Sequence, residues 1–386
     1  MLSKTASVRA AIKQSCHTAL ARGLHYSGLL SAIRRFEGSH EFPSSPAARR
    51  FQPRRSSGSK FAILCYHRVG TEGVPFHSNL NPRLFLNQIR YLKENYRVVS
   101  LEQLTRELLD SAKVPPTLAI TFDDGYRDLY TYALPVLQTY EIPATIYLIG
   151  RSMESGEAPW YDRVFASLAA TRVTSLEVDT NGLRQFYLST PSLRRAAAWE
   201  IVCYLRSIPD TERQMWCAEF ERRFPPPSEL LEGRMLNWDQ VRAMRGAGIS
   251  FGAHTMTHPS VSQLDSSALQ YEIVHCKKLL ETELDSPVQD FAYPFGKWSD
   301  GSSAAQNLLV QASYRSAVTT IEGFNSSGDS PLMLRRFQIS DDASLPLFAF
   351  NLSRLFFSAS SGSEIPQYFR MSLSSAIERQ SGRSVS

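Results

Sequence analysis

Between Lys60 and about Ser358 the chain alternates short apolar runs with helix-length amphipathic ones. This alternation predicts an α/β fold of parallel strands and covering helices. Eight strand candidates favour a closed or nearly closed barrel over an open doubly wound sheet. Neither G-x-G-x-x-G nor G-x-x-x-x-G-K occurs, which weighs against the nucleotide-binding versions of the open sheet.

The strand candidates are Phe61–Tyr66, Arg97–Ser100, Thr117–Phe122, Ala144–Ile149, Ile249–Ala253, Phe291–Tyr293, Ser316–Thr319 and Leu334–Ile339. Each is short, apolar and bounded by turn residues or charge. Helical patterns fill the gaps: Phe85–Asn95, with Phe85, Ile89 and Leu92 on one face, then Leu101–Ala112, Tyr126–Tyr140, Trp238–Ala247, Ser266–Glu283 and Ser303–Ser313. Residues 151–235 interrupt the alternation and read as a mostly helical insertion, with a hairpin around Leu176–Tyr187 turning at Asn181-Gly182 and a close at Pro225-Pro226-Pro227. Insertions on barrels extend loops at the mouth of the site, and the same is expected here.

Outside this body lie three further zones. Residues 1–36 form a basic amphipathic helical arm, 37–59 a Ser-, Pro- and Arg-rich linker, and 359–386 a tail with 9 Ser in 28 residues. The net charge of +5 divides into +9 over residues 1–60 and −4 over the rest, so the basicity belongs to the arm. An arm of this kind can lie on an anionic membrane surface or simply be solvated. The body has no zinc-finger spacing and no basic-aromatic motif of an RNA-binding sheet, so nucleic acid is not an expected partner. Five cysteines with no C-x-x-C spacing argue against a disulfide framework and against thiolate zinc sites. With no compact signal-peptide core, they place the protein in the cytoplasm, at most peripherally on a membrane. No run of about 18 apolar residues argues for a transmembrane helix.

Four motifs carry chemistry. Ala119-Ile120-Thr121-Phe122-Asp123-Asp124-Gly125-Tyr126 runs an apolar strand into two adjacent carboxylates. Adjacent acids repel, and a divalent cation on one of them offsets the repulsion while the other remains available as a base; the plain alternative is a helix N-cap. After Ser250–Ala253 come His254 and His258, followed by Pro259. Two His at this spacing on a turn can face one ion. Thr255 stands where H-E-x-x-H proteases need Glu, which excludes that class. Tyr293-Pro294-Phe295-Gly296 suggests a rigid aromatic turn, and Tyr66-His67 closes the first body strand. All four sit at C-terminal strand ends, the face on which barrels build active sites.

T-F-D-D-G-Y, then H-x-x-x-H-P, then Y-P-F-G resembles the polysaccharide deacetylases with a NodB homology domain, carbohydrate esterase family 4, over roughly residues 60–350. The resemblance implies a distorted (β/α) barrel and metal-dependent removal of acetyl groups from sugars. It implies Asp123 as catalytic base, Asp124, His254 and His258 as ligands of a divalent metal ion, zinc first, and the Phe295 backbone N–H as oxyanion donor. Tyr126, Tyr293, Phe295 and Trp298, together with Trp160, are candidate faces for sugar rings.

The sequence departs from the family twice. Ala292 stands where an Arg often braces the base, and Leu334–Gln338 lacks the usual late His. A branch acting on exopolysaccharides has that strand permuted to the N-terminus and ending in Tyr-His. Tyr66-His67 resembles it, which makes His67 the general acid, with Arg336 a candidate brace for Asp123. The expected partner is an acetylated saccharide. The departures also support a second reading, a deacetylase-like module that binds saccharide or scaffolds without turnover.

Overall fold

The computed structural model describes residues 60–361 except Glu72, Ser78, Ala112, Lys113, Asn181, Ser340, Asp342 and Ala343. The expected arm, the linker and the tail beyond residue 361 lie outside the described residues.

The body is one curled, all-parallel sheet. Its strands are β1 (Phe61–Tyr66), β2 (Arg97–Val98), β3 (Thr117–Phe122), β4 (Ala144–Leu148), β7 (Ser250–Ala253), β8 (Asp290–Ala292), β9 (Ser316–Val318) and β10 (Phe337–Gln338); a separate hairpin supplies β5 (Ser175–Asp179) and β6 (Leu183–Tyr187). The order across the sheet is β10-β1-β3-β4-β7-β8-β9, with β2 beside β3. Leu64 pairs with Phe337 at one side of β10, while Leu334, just before it, bridges Val318 of β9. The 334–338 segment thus spans the gap between the first and last strands and nearly closes a distorted barrel, as the sequence predicts. β10 proper is shorter than the apolar run Leu334–Ile339, because that segment leans on β9 first and on β1 second.

Alternation along the strands sorts their side chains into two layers. Ala62, Leu64, Leu118, Ile120, Phe122, Ile146 and Leu148 pack outward on the covering helices. Phe61, Ile63, Ala119, Tyr147, Ala292, Val318 and Leu334 form a separate interior cluster. β1 and β3 are buried on both faces, which is why they read as unbroken apolar runs. Asp123, one residue past β3, continues the inward register of Ala119 and Thr121.

The helices start where capping chemistry allows. Asn81 accepts from Arg83 N–H and Pro82 follows at the first helical position of Pro82–Asn95. Asn237 and Gln240 form a reciprocal capping box on Trp238–Gly246. The pattern read as one helix over Tyr126–Tyr140 is instead a π-turn, Leu129–Ala133, running into Leu134–Thr139, and a second π-turn, Tyr271–His275, interrupts Ser266–Glu283. Apolar periodicity alone cannot register the one extra residue per turn. No helix among the described residues is long and apolar enough to cross a membrane.

Between β4 and Trp238–Gly246 lie helices Gly150–Ser155, Trp160–Ala170, Pro191–Leu205, Asp210–Arg223 and Ser228–Leu231 with the β5–β6 hairpin. Their apolar side chains, with Phe165, Ile201 and Phe220 among them, form a core of their own. Val74 and Phe76 from the loop after β1, and Phe295 from the loop after β8, pack against it. The insertion therefore stands on the C-terminal rim of the barrel.

Candidate active site

Strand ends β3, β7 and β8 each break into a turn that L-residues enter reluctantly. Asp124 (φ 74°), Thr255 (φ 61°), His258 (φ 58°) and Phe295 (φ 58°) are all left-handed. Each such residue costs on the order of 1–3 kcal/mol, and such strain collects where function needs it. Gly296 (φ 49°) shares the last turn, and a Cβ there would lie 2.4 Å from Thr320 N. These turns aim Asp124, His254 and His258 at one point.

Asp124 Oδ1 lies 3.5 Å from His254 Nε2 and 3.4 Å from His258 Nε2, with all three side chains buried. The three donor atoms fall within 4.8 Å of one another. His254 Nδ1 is 2.7 Å from Ala292 O. A carbonyl can only accept, so Nδ1 carries the proton and Nε2 presents its lone pair to the cluster. Asp124 Oδ1 is buried without a hydrogen-bond partner, an arrangement that costs free energy unless a cation meets it. Burial and then the neighbouring His254 push His258 down to about 3, so its imidazole is neutral at physiological pH, as a ligand must be. For Asp124, burial acts to raise the carboxyl, but the nearby imidazoles of His254, His258 and His67 more than reverse this and hold it below the usual carboxylate range. The donor set, one carboxylate and two imidazoles, fits a divalent transition-metal ion such as zinc.

Asp123 has a different environment. Arg336 Nη1 and Nη2 donate to its two oxygens at 2.7 Å each, while Nε donates to Thr319 O at 2.7 Å and Nη1 also to Thr121 Oγ1 at 3.2 Å. Arg336 is fully buried inside the barrel. Burial acts to raise the Asp123 pKa, but the Arg336 guanidinium outweighs it and holds the carboxyl down at about 2. The expected brace is thus present, from the strand that nearly closes the barrel and not from the position of Ala292. His67, half-buried, has a ring nitrogen within 4.8 Å of an Asp123 oxygen and of Cys65 Sγ.

The aromatic candidates divide. Phe295 is edge-on to His258 at 4.8 Å, and its N–H makes no hydrogen bond among the described residues. Trp298 is 67% exposed. Tyr126 and Tyr293 are corrections: both rings are wholly buried. The Tyr126 hydroxyl donates to Asp162 at 2.8 Å under the Arg68 guanidinium, and that of Tyr293 to Leu332 O at 3.2 Å. Neither offers a face to a sugar.

Several further neighbours surround the cluster, of which the sequence singles out Trp160 alone, as an aromatic face. Trp160 Nε1 donates to His258 O at 3.0 Å, and the Tyr161 ring meets the His258 ring at 5.0 Å. His77 Nδ1 lies 3.0 Å from Asp162 Oδ1. The insertion brings Trp160, Tyr161 and Asp162 to the rim and the loop after β1 brings His77, and no local spacing announces the His77–Asp162 pair. Glu272 is a partial exception, an acid in an apolar helical pattern; it accepts from Met256 N–H at 2.7 Å and Thr257 N–H at 2.9 Å and so fixes the His turn.

A parallel barrel whose rim gathers an ionised carboxylate, a second acid and two imidazoles is the frame of a hydrolase. The sequence profile described as polysaccharide deacetylase matches residues 110–313, and the chain belongs to that family. It is accordingly a hydrolase acting on carbon–nitrogen bonds other than peptide bonds. The match leaves out β1 with His67 and the segment carrying Arg336. YxkH of Bacillus subtilis (strain 168), a protein named for polysaccharide deacetylase, is 21% identical over 284 residues, 73% of this chain and 72% of its own length. The poly-beta-1,6-N-acetyl-D-glucosamine N-deacetylase of Escherichia coli (strain K12) is 33% identical over 94 residues, 23% of this chain but 14% of that protein. Among solved structures, Streptococcus pyogenes deacetylase PplD in complex with acetate superposes with a TM-score of 0.52 at 22% identity, over 78% of this chain and 99% of that one. That likeness shows the shared fold.

Proposed function

We propose that this chain hydrolyses the acetamido group of an N-acetylated amino sugar in a polysaccharide or saccharide precursor, using a divalent metal ion held by Asp124, His254 and His258. The observation that carries the reading is the contrast within one acidic pair: Asp123 saturated by Arg336, Asp124 left with an orphaned oxygen facing two imidazoles.

A bound divalent ion supplies Lewis acidity to the acetyl carbonyl and acidity to a water. Asp123, kept ionised by Arg336, takes the proton from the attacking water. The free N–H of Phe295 points a donor at the developing oxyanion; such a donor typically contributes about 10²–10³ in rate. His67, on the other side of Asp123, gives a proton to the departing amine, otherwise a poor leaving group. Trp298 offers an open ring to the saccharide. The binding-only reading drew on the missing Arg and on the missing late His; Arg336 takes the first place, and the second falls to His67.

The test is metal content and acetate release by the full-length chain on acetylated chito-oligosaccharides, with Asp124→Ala alongside. About one metal per chain, with both metal and acetate release lost in the variant, is expected. Retained metal in Asp124→Ala would overturn the ligand set, and saccharide binding with metal but no acetate from any acetylated sugar would favour the binding module.

A further inference from the structure

We infer that the saccharide taken by this site carries an anionic group, a phosphate or a carboxylate, next to the acetylated residue, and that Arg206 and Lys297 receive it. The inference rests on the deacetylase reading above and adds the charge of the substrate.

The Phe295 ring stands between two kinds of chemistry. One side meets the His258 ring at 4.8 Å, and the Arg206 guanidinium lies 5.5 Å from the ring centroid. Arg206 is half-buried at the end of helix Pro191–Leu205. Lys297 is exposed two residues after Phe295, with the open Trp298 ring next to it. Arg206 reaches this region through its place at the Phe295 ring and Lys297 through its place two residues along the same turn, so the insertion and the barrel rim each bring one cation to Phe295.

Neither cation has an ion-pair partner within 4.0 Å among the described residues. The nearby acids are otherwise engaged. Glu200 pairs with Arg184, and Asp210 pairs with Arg213 under Trp160. Asp300, buried, accepts from Ser260 Oγ, Ser262 N–H and Lys297 N–H. A position at a helix C-terminus is reason enough for a single arginine there. It gives no reason for Lys297, nor for two unmatched cations flanking the aromatic wall of a hydrolytic site. Arg offers a planar fork that matches phosphate or carboxylate, Lys adds a mobile point charge, and the apolar wall strengthens both. Among the described residues, Arg206 and Lys297 make no ion pair or ring contact with Asp124, His254 or His258, whereas Arg206 meets Phe295, so the anion belongs to the neighbouring part of the saccharide and not to the acetamido group.

The experiment uses the full-length, metal-loaded protein and three probes: a neutral acetylated chito-oligosaccharide, N-acetylglucosamine 1-phosphate, and an oligosaccharide alternating N-acetylglucosamine with glucuronate. Acetate release gives KM for each at low and high salt, and calorimetry on Asp123→Asn gives affinities with turnover suppressed. At least one anionic probe is expected to bind roughly tenfold or more tightly than the neutral one, with the advantage shrinking in salt; which one separates phosphate from carboxylate. In Arg206→Ala/Lys297→Ala, with thermal unfolding as the check on folding, that preference should fall to near unity, and Arg206→Lys should recover part of it. Equal affinity for neutral and anionic probes, or a preference unchanged in the double variant, would overturn the inference while acetate release left the deacetylase reading standing. Preferential anion binding without acetate from any probe would do the reverse.

Discussion

The barrel rim and the insertion are built on opposite terms. On the rim, left-handed residues at the ends of β3, β7 and β8 aim acids and imidazoles inward, and Asp123 is tied to a guanidinium buried inside the sheet. The insertion supplies none of the three candidate metal ligands. It has its own apolar core and meets the rim through Trp160, Tyr161, Asp162 and Arg206. The rim sets what reaction can occur; the insertion sets how the rim is walled and what approaches it. The two can be separated by mutation, because damage to the first should stop chemistry and damage to the second should shift affinity or local stability.

The largest effect is expected on the rim. Asp123→Asn should lower kcat/KM for acetate release by about 10²–10⁴ while leaving metal content unchanged, since Asp124 and the two His remain. A loss of metal in that variant would show that the acidic pair does not divide its labour. Next, Arg336→Met should destabilise the fold by about 3–5 kcal/mol, read as a shift in denaturant midpoint, because it strands a buried carboxylate. Without the guanidinium, burial would act on Asp123 against only the pull of His254 and His67, and its pKa would rise. A midpoint shift well under 1 kcal/mol would mean that water reaches the barrel interior.

Gly296→Ala should cost about 1–3 kcal/mol and impair turnover, since its Cβ would press on the Thr320 backbone in the turn that carries Phe295. The smallest effect belongs to the insertion. Burial disfavours the His77 imidazolium, but Asp162 outweighs it and holds the pKa above 6.5. A raised histidine pKa contributes stability that is complete below the unfolded value and fades as pH rises through the folded one. The stability gap between wild type and Asp162→Asn should therefore be widest below the ordinary histidine pKa, about 1–2 kcal/mol, and should narrow as pH rises through the raised one. A gap independent of pH would assign Asp162 to the Tyr126 bond alone.

The sequence makes some of this legible and hides the rest for physical reasons. β1 and β3 are recoverable to the residue because parallel strands buried on both faces must be apolar throughout. The acidic pair and the two His are visible because strand ends and chemistry coincide within a few residues. Arg336 is visible only as an arginine in an apolar run, and its bond to Asp123 spans 213 positions. The misreading of Tyr126 and Tyr293 has a plain cause: an aromatic beside a catalytic motif looks the same in sequence whether its ring faces sugar or packs under Arg68. His77 and Asp162 are silent because 85 residues separate two halves of one hydrogen bond. His67 is visible through the Tyr66-His67 pair at the end of β1, while its place beside Asp123 appears only in the fold.

The brace on Asp123 also has a consequence in time. A ribosome makes the chain from its N-terminus, so the carboxylate of β3 emerges more than two hundred residues before the guanidinium that holds it ionised. Until the 334–338 segment docks between β9 and β1, a nascent chain can already contain both acids and both imidazoles and yet have no barrel interior in which a charged Asp123 is stable. The last strand thus acts as a completion signal, and a product interrupted between Gly296 and Arg336 would keep every recognisable motif while leaving Asp123 without the guanidinium that holds it ionised.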